Sequence, residues 1–299
     1  MRLKDGSEKG HIIKRLVYPL VRRHIAGSTT ESVLATIRKL NEQGLHATAT
    51  LLNDHVEQAT KARYNTNAYV QFIKQISRLN LNSDVSLRLS QVGFGLDEEL
   101  MRRNMQQILD SANEAELRLW IESEESIGNE ELMPIYRELK ASSDGLGVEI
   151  TPMQGENGNA FALVKPKDMI KLRCHLHKED IKANKKESFN AIRLYKSYID
   201  KLISRRAHVT VLDHNAHMIP KIAAMEKGYR DSVTFEAPLG YGGSKLKKMA
   251  ANRFNVSIYV PYGKDWVPYL INKLTEGRLR NIAIALLNGQ SAGYEHGGF

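Results

Sequence analysis

The sequence predicts a closed (β/α)8 barrel of the TIM type preceded by N-terminal helices, and three observations carry that prediction. Eight short runs rich in β-branched and apolar residues recur along the chain. Each ends at a polar or Gly/Pro break and is followed, as a rule, by a segment with helical period. Eight such units in roughly 250 residues match a barrel closed by parallel strands. A doubly wound open sheet is the main rival. No Gly-x-Gly-x-x-Gly follows an early strand, so a nicotinamide-type Rossmann domain has no support.

Ahead of the barrel, Ile12–Ile25 mixes Ile, Leu and Val with Lys14, Arg15, Arg22, Arg23 and His24, and stops at Gly27. This reads as a basic amphipathic helix that packs under the barrel, with a membrane surface as the alternative. Strands are expected at Ala47–Leu52, Val85–Leu89, Leu117–Ile121, Gly147–Met153, Met169–Cys174, His208–Leu212, Ser232–Phe235 and Val256–Val260. The helical period is plainest from Glu98 through Leu100, Met101 and Ile108 to Leu109, and again over Phe189, Ile192, Tyr195, Ile199 and Leu202. Past the last strand, Pro261-Tyr-Gly263 makes a turn, and Asp265 is placed to cap a new helix. Three regions result: an N-terminal helical segment over residues 1–45 packing on the barrel, a catalytic barrel over 46–290, and a flexible Gly-rich tail over 291–299.

Of the 299 residues, 42% are hydrophobic, enough for a large core. The single cysteine, Cys174, excludes a disulfide framework and suits a reducing compartment. No apolar run approaches the roughly 20 residues that span a bilayer. The N-terminus lacks a signal-peptide core, so a cytoplasmic protein is expected. The formal net charge is +9, and residues 165–206 alone hold 13 Lys/Arg against 5 Asp/Glu. A solvated helix face accounts for that excess most simply. An anionic cofactor or peripheral contact with an inner-membrane surface would also use it. Aromatic residues do not interleave with the basic ones, which argues against nucleic acid.

In a barrel of this type the chemistry sits at the C-terminal strand ends. Those positions hold Arg88, Glu122, Glu124, Thr151, Lys171 through Cys174, His175 and His177, Asp213-His214-Asn215, Glu236 and Tyr259. After Asp265, Tyr269, Asn272 and Lys273 fall at i, i+3 and i+4 and share one helix face, a phenol, an amide and an ammonium suited to a small anion. Arg88 and Lys273 are two cations that can converge on a carboxylate. Glu122 ends an apolar strand, where it can orient Arg88 through a charge-assisted hydrogen bond or act as a base. His175, His177, Asp213, His214 and His217 offer metal-ligand chemistry but no ordered array of four, so no metal is assigned. Cys174 reads as a buried thiol rather than a nucleophile.

The chain resembles the flavin-dependent proline dehydrogenase family over nearly its full length. The residues that carry the resemblance are Arg23-His-Ile-Ala-Gly27, Ser86-Leu-Arg88-Leu-Ser-Gln91-Val-Gly93, Leu119-Trp-Ile-Glu122-Ser-Glu124, Asp213-His214-Asn215-Ala-His217, and Tyr259-Val-Pro261-Tyr-Gly263 through Tyr269. The resemblance implies a barrel that holds FAD at its C-terminal face and oxidises L-proline to Δ1-pyrroline-5-carboxylate by hydride transfer to flavin N5. Electrons then pass to a quinone or another acceptor. It implies further that Tyr259 and Tyr269 pack on the substrate ring, with Arg88, Asn272 and Lys273 toward its carboxylate. Thr151, Lys171, Cys174, His175, Asp213, His214, Asn215 and Glu236 would then form the flavin site.

The departures from the family pattern cluster at this site. The last helix has Asn272-Lys273 where the family has an Arg pair. Arg88 and Glu122 replace a lysine and an aspartate. Lys171 and Thr151 stand where an arginine and a glutamine are expected. Neither Lys nor Asn reproduces the planar Arg–carboxylate fork. An altered substrate or a specialised biosynthetic role, as in carbapenem-type pathways, follows from these changes. The rival readings are a flavin enzyme for a carboxylate-masked proline and a non-catalytic barrel that binds a ligand.

Overall fold

The computed structural model describes residues 23–53, 56–124, 126–152, 158–174, 185–213, 216, 218–225, 228–241, 243–266 and 269. Eight parallel strands close into one barrel in chain order: β1 His46–Leu51, β2 Ser83–Leu87, β3 Leu119–Ile121, β4 Leu146–Ile150, β5 Met169–Cys174, β6 His208–Asp213, β7 Val233–Pro238 and β8 Asn255–Tyr262. Closure is made by β1 against β8, with Thr48 opposite Tyr259 and Leu51 opposite Tyr262. The described helices are α1 Thr30–Asn41, α2 Ala59–Arg78, α3 Glu98–Glu114, α4 Asn129–Lys140, α5 Gly158–Ala162, α6 Lys185–Ser204, α7 Ile219–Ala223, α8 Tyr229–Ser232 and α9 Gly243–Ala251. None of them is long and apolar enough to cross a membrane.

Local chemistry explains the element starts. The Thr29 side chain accepts from the Ser32 amide to begin α1, and Asp97 does the same for Leu100 at α3. Strand residues facing the helices are apolar and fully buried: Ala47, Ala49, Val85, Leu87, Leu119, Ile121, Val148, Ile150, Ile170 and Leu172. Their partners are the apolar helix faces, such as Tyr69, Phe72, Ile73 and Ile76 of α2 and Met101, Met105 and Ile108 of α3.

The alternate strand positions point inward, and many are polar. Trp120 is the bulkiest of them, and β4 makes room for it with Gly147. A Cβ at Gly147 would lie 2.6 Å from the indole ring. Two polar layers fill the interior. In the lower one Lys171 Nζ donates to Glu236 Oε1 at 2.7 Å, the Thr48 hydroxyl donates to Glu236 Oε2 at 2.7 Å, and Lys171 lies 4.7 Å from the Trp120 ring centre. Asp84 accepts from Arg118 Nε at 3.0 Å and from Trp120 Nε1 at 2.9 Å. The upper layer forms the site described below.

Residues 23–27 lie at the C-terminal end of the barrel. Ala26 N–H donates to Pro261 O, Gly263 N–H donates to Gly27 O, and the His24 ring bonds Leu239 O and packs on Tyr241. The Arg23–Ile25 end of the expected first helix is a turn here. The rest of that helix, and the tail over 291–299, lie outside the described residues.

Candidate active site

Glu122 follows β3 directly and is the organising group of the upper layer. Its Oε1 accepts from Ser86 Oγ at 2.7 Å and from the Tyr259 hydroxyl at 2.9 Å, and its Oε2 faces Arg88 Nε at 3.3 Å. Strands β2, β3 and β8 therefore meet at one carboxylate, 1% exposed. Burial alone would push the Glu122 carboxyl up, but Arg88, then Arg173, and the bonds from Ser86 and Tyr259 outweigh it and hold it below the ordinary range. Burial, and next the Glu122 charge, raise the Tyr259 phenol well above its usual value, so it stays a neutral donor.

A second cluster adjoins the first. Arg173 Nε donates to Glu149 Oε1 at 2.5 Å, and Ser123 Oγ donates to the same oxygen at 2.9 Å. Ser123 also bonds the Thr151 hydroxyl at 2.9 Å. Burial disfavours the Arg173 charge, yet Glu149 and Glu122 more than restore it, and its pKa is raised. Glu149 is fully buried, and its second oxygen, Oε2, has no hydrogen-bond partner among the described residues. Buried carboxylate oxygens are almost always bonded, so this acceptor marks a place for an outside donor.

Of the two arginines in this layer, Arg88 is the more accessible. Its side chain is 38% exposed, against 16% for Arg173. Its Nε takes the bond to Glu122, which leaves its two terminal nitrogens without a hydrogen bond among the described residues. That geometry presents a planar, charged fork at the barrel mouth, the natural receptor for a carboxylate.

The pairing of Glu122 has a consequence for stability. Its folded pKa lies below the ordinary 4.5, so ionised Glu122 stabilises the fold above that pH, and the stabilisation is lost as pH falls through the folded value. We expect Glu122→Gln to be less stable than wild type at pH 7 in urea unfolding, with the gap narrowing below about pH 4.5. An equal gap at both pH values would mean that the Glu122 charge is not what stabilises the cluster.

The residues singled out in the sequence fall in different places. Arg88, Glu122, Thr151 and Tyr259 share the upper layer, and the Tyr259 and Tyr269 phenols are near enough to influence each other. Asp213 ends β6, where its carboxylate accepts from the Met218 amide at 2.6 Å. Lys171 and Glu236, expected beside the flavin, lie one layer deeper and are bonded to each other, each 1% exposed. The fifth-strand cation in the upper layer is Arg173, and the fourth-strand partner is Glu149. Reading the strand ends left out Glu149, and it included Arg173 only within the Lys171–Cys174 run, without singling it out. Alternation was the available signal, since each lies two residues from the position chosen. Of Cys174 only the backbone, at the end of β5, is described. His175, His214, Asn215, Asn272 and Lys273 lie outside the described residues, as do His177 and His217, so Asp213 is the one described member of the set considered for a metal. Among the described residues no three metal-ligating side chains converge.

A cavity of about 560 Å³ opens at the opposite, N-terminal end, lined by His46, Asp84, Arg118, Trp120 and Ser257 among others. Its polar groups already bond one another: His46 reaches Ser257 at 3.2 Å and Asp84 at 3.1 Å. The accessible Arg88 fork and the Glu149 oxygen without a partner among the described residues belong to the C-terminal end, which is the candidate site.

A closed parallel barrel with charged groups gathered at its C-terminal strand ends defines the class of (β/α)8 barrel enzymes. No family model matches the chain. It is 28% identical over 265 residues to Proline dehydrogenase 2 of Bacillus subtilis (strain 168), covering 87% of each chain. It is 27% identical over 272 residues to Proline dehydrogenase 1 of the same organism, covering 89% of each. In fold it is similar to proline utilization A from Bdellovibrio bacteriovorus, with a TM-score of 0.73 at 12% identity over 91% of this chain. It is likewise similar to proline utilization A from Corynebacterium freiburgense, with a TM-score of 0.64 at 16% identity. The chain spans about a third of the length of those solved structures, 35% and 34%. By sequence the chain is thus similar to proline dehydrogenases, and by fold to proline utilization A proteins.

Proposed function

We propose that this protein oxidises L-proline, or a close cyclic imino acid, to Δ1-pyrroline-5-carboxylate with FAD as the bound cofactor. The observation that carries the reading is the Arg88 fork, held against Glu122 at the barrel mouth of a chain related to proline dehydrogenases. A small amino-acid carboxylate is the anion whose geometry it matches. Glu122 pairs with the guanidinium through Nε, and the neutral Tyr259 hydroxyl donates its proton to Glu122, which leaves its ring as an apolar wall. Tyr269 adds a second aromatic wall.

The residues present fit a flavin. Its pyrimidine edge carries an N–H donor between carbonyl acceptors, and Glu149 Oε2 with Arg173 offers the reverse: an unpartnered acceptor beside a charged donor. Glu149, Arg173 and Thr151 would hold that edge, and the sequence adds Asp213, His214 and Asn215 as further candidates. FAD, when bound, supplies the hydride acceptor, with electrons passing onward to a quinone-like acceptor. The protein's part is to orient the imino-acid ring, pair its carboxylate and keep water from the reacting carbon. A specialised biosynthetic role is the finer proposal, and the Asn272-Lys273 pair in the sequence supports it.

The test is a visible absorption spectrum of the purified protein, repeated anaerobically with L-proline. A flavin spectrum that bleaches is the expected result. A flavin that stays oxidised would redirect the substrate search. A protein that neither carries nor takes up FAD would overturn the proposal. With activity established, Tyr259→Phe should lower kcat/KM by about fivefold, the effect of about 1 kcal/mol from one lost hydrogen bond to Glu122.

A further inference from the structure

We infer that Gln91 is a positioning residue for Arg88, fixing where its guanidinium sits through the backbone of a braced turn. The inference rests on the reading of Arg88 as the substrate-carboxylate receptor. Among the described residues Arg88 has one side-chain anchor, the 3.3 Å contact from Nε to Glu122. That contact is long for a charge-assisted bond, so it does not by itself fix a long, partly exposed side chain. The backbone beneath it is fixed far more tightly.

Residues Leu89–Val92 form a single 3-10 turn directly after Arg88, closed by Gly93 at φ 118°. The Gln91 side chain, 2% exposed, is its hub. Gln91 Oε1 accepts from the Arg88 backbone N–H at 3.0 Å and from the Tyr69 hydroxyl at 2.7 Å. Its Nε2 donates to Leu51 O, at the end of β1, at 2.8 Å. The Gln91 carbonyl accepts from Asn65 Nδ2 at 2.9 Å, and Asn65 Oδ1 accepts in turn from Asn53 Nδ2 at 2.9 Å. One amide group thus ties the Arg88 backbone to β1 and α2. No other natural side chain of this size offers an acceptor for two donors together with a donor for Leu51 O. Glutamate would set a charge against that carbonyl, and methionine would leave all three groups unpaired.

The turn has other braces, so removing Gln91 shifts it without unmaking it. Ser90 N–H donates to Glu124 Oε1 at 3.1 Å, the Ser90 hydroxyl donates to Glu124 Oε2, and Asn104 Nδ2 donates to Val92 O at 2.9 Å. Arg88 has no such second tether on its own backbone N–H. Loss of Gln91 is therefore felt first at the root of Arg88.

The experiment compares Gln91→Met, Tyr69→Phe, Arg88→Ala and the Gln91→Met/Arg88→Ala double variant, with proline kinetics and a crystal structure of Gln91→Met. Carboxylate pairing acts alike on bound substrate and transition state, so Gln91→Met should raise KM for L-proline about tenfold with kcat nearly unchanged. Tyr69→Phe removes one donor to Gln91 Oε1 but leaves the Gln91 bonds to the Arg88 N–H and Leu51 O in place, so it should lower denaturation resistance and leave KM nearly unchanged. In the Arg88→Ala background Gln91→Met should add no further KM effect, because its action runs through Arg88. The crystal structure should show the guanidinium displaced from Glu122. An unmoved guanidinium, or a full KM effect that persists without Arg88, would overturn the positioning role. If the guanidinium moves while Arg88→Ala leaves KM unchanged, positioning stands and the carboxylate reading of Arg88 falls.

Discussion

Arg88→Ala is expected to cut kcat/KM for L-proline by roughly two to four orders of magnitude while leaving the protein folded. The range follows from the cost of truncating one partner of a desolvated charge pair, about 2–5 kcal/mol. Two anions lose their partner at once: the substrate carboxylate and Glu122, which is 1% exposed. Glu122 keeps its bonds from Ser86 and Tyr259 and the field of Arg173, so the fold survives. Most of the loss should appear in KM. Arg88→Lys should fall between, since an ammonium keeps the charge and loses the planar fork. Steady-state turnover with an artificial electron acceptor measures both variants. Turnover of Arg88→Ala within threefold of wild type would remove Arg88 from the substrate site.

The barrel was legible because its signal is repeated. Runs such as Val85–Leu89 and Met169–Cys174 alternate with helical periods, and even poor individual boundaries leave eight units in order. The structure trims or extends them: β3 begins at Leu119 rather than Leu117, and β8 runs on to Tyr262. Glu122 and Tyr259 were legible as inward groups beyond or within apolar strands. Depth was not. Lys171 and Arg173 both point inward from β5, two residues apart, and composition does not say which one reaches the mouth. That depends on the stagger between strands, set here by pairs such as Glu149 with Lys171 and Arg173 with Leu212. Glu149 was hidden for the same reason, inside a strand read as continuous to Met153. Gln91 could be quoted from the sequence, but its role could not, because its partners come from Leu51, Asn65 and Tyr69.

Lys171→Met should be the most destabilising of the substitutions considered, by about 3–5 kcal/mol in equilibrium denaturation. The pair it breaks is closed: Nζ lies 2.7 Å from Glu236 Oε1, and both side chains are 1% exposed. Methionine keeps the length and apolar stem of lysine, so the loss comes from Glu236, left as a carboxylate inside the barrel with Thr48 as its hydrogen-bond donor. The double variant Lys171→Met/Glu236→Leu removes both charges and should recover most of that loss, the behaviour expected of a buried ion pair replaced by apolar groups. The same variants decide between two places for these residues. If Lys171 and Glu236 were flavin ligands, the double variant would regain stability yet lose FAD. As an interior strut one layer below Arg173 and Glu149, it should regain stability and keep its flavin content. A Lys171→Met protein within 1 kcal/mol of wild type would show that water reaches Glu236 and that the lower layer is not sealed.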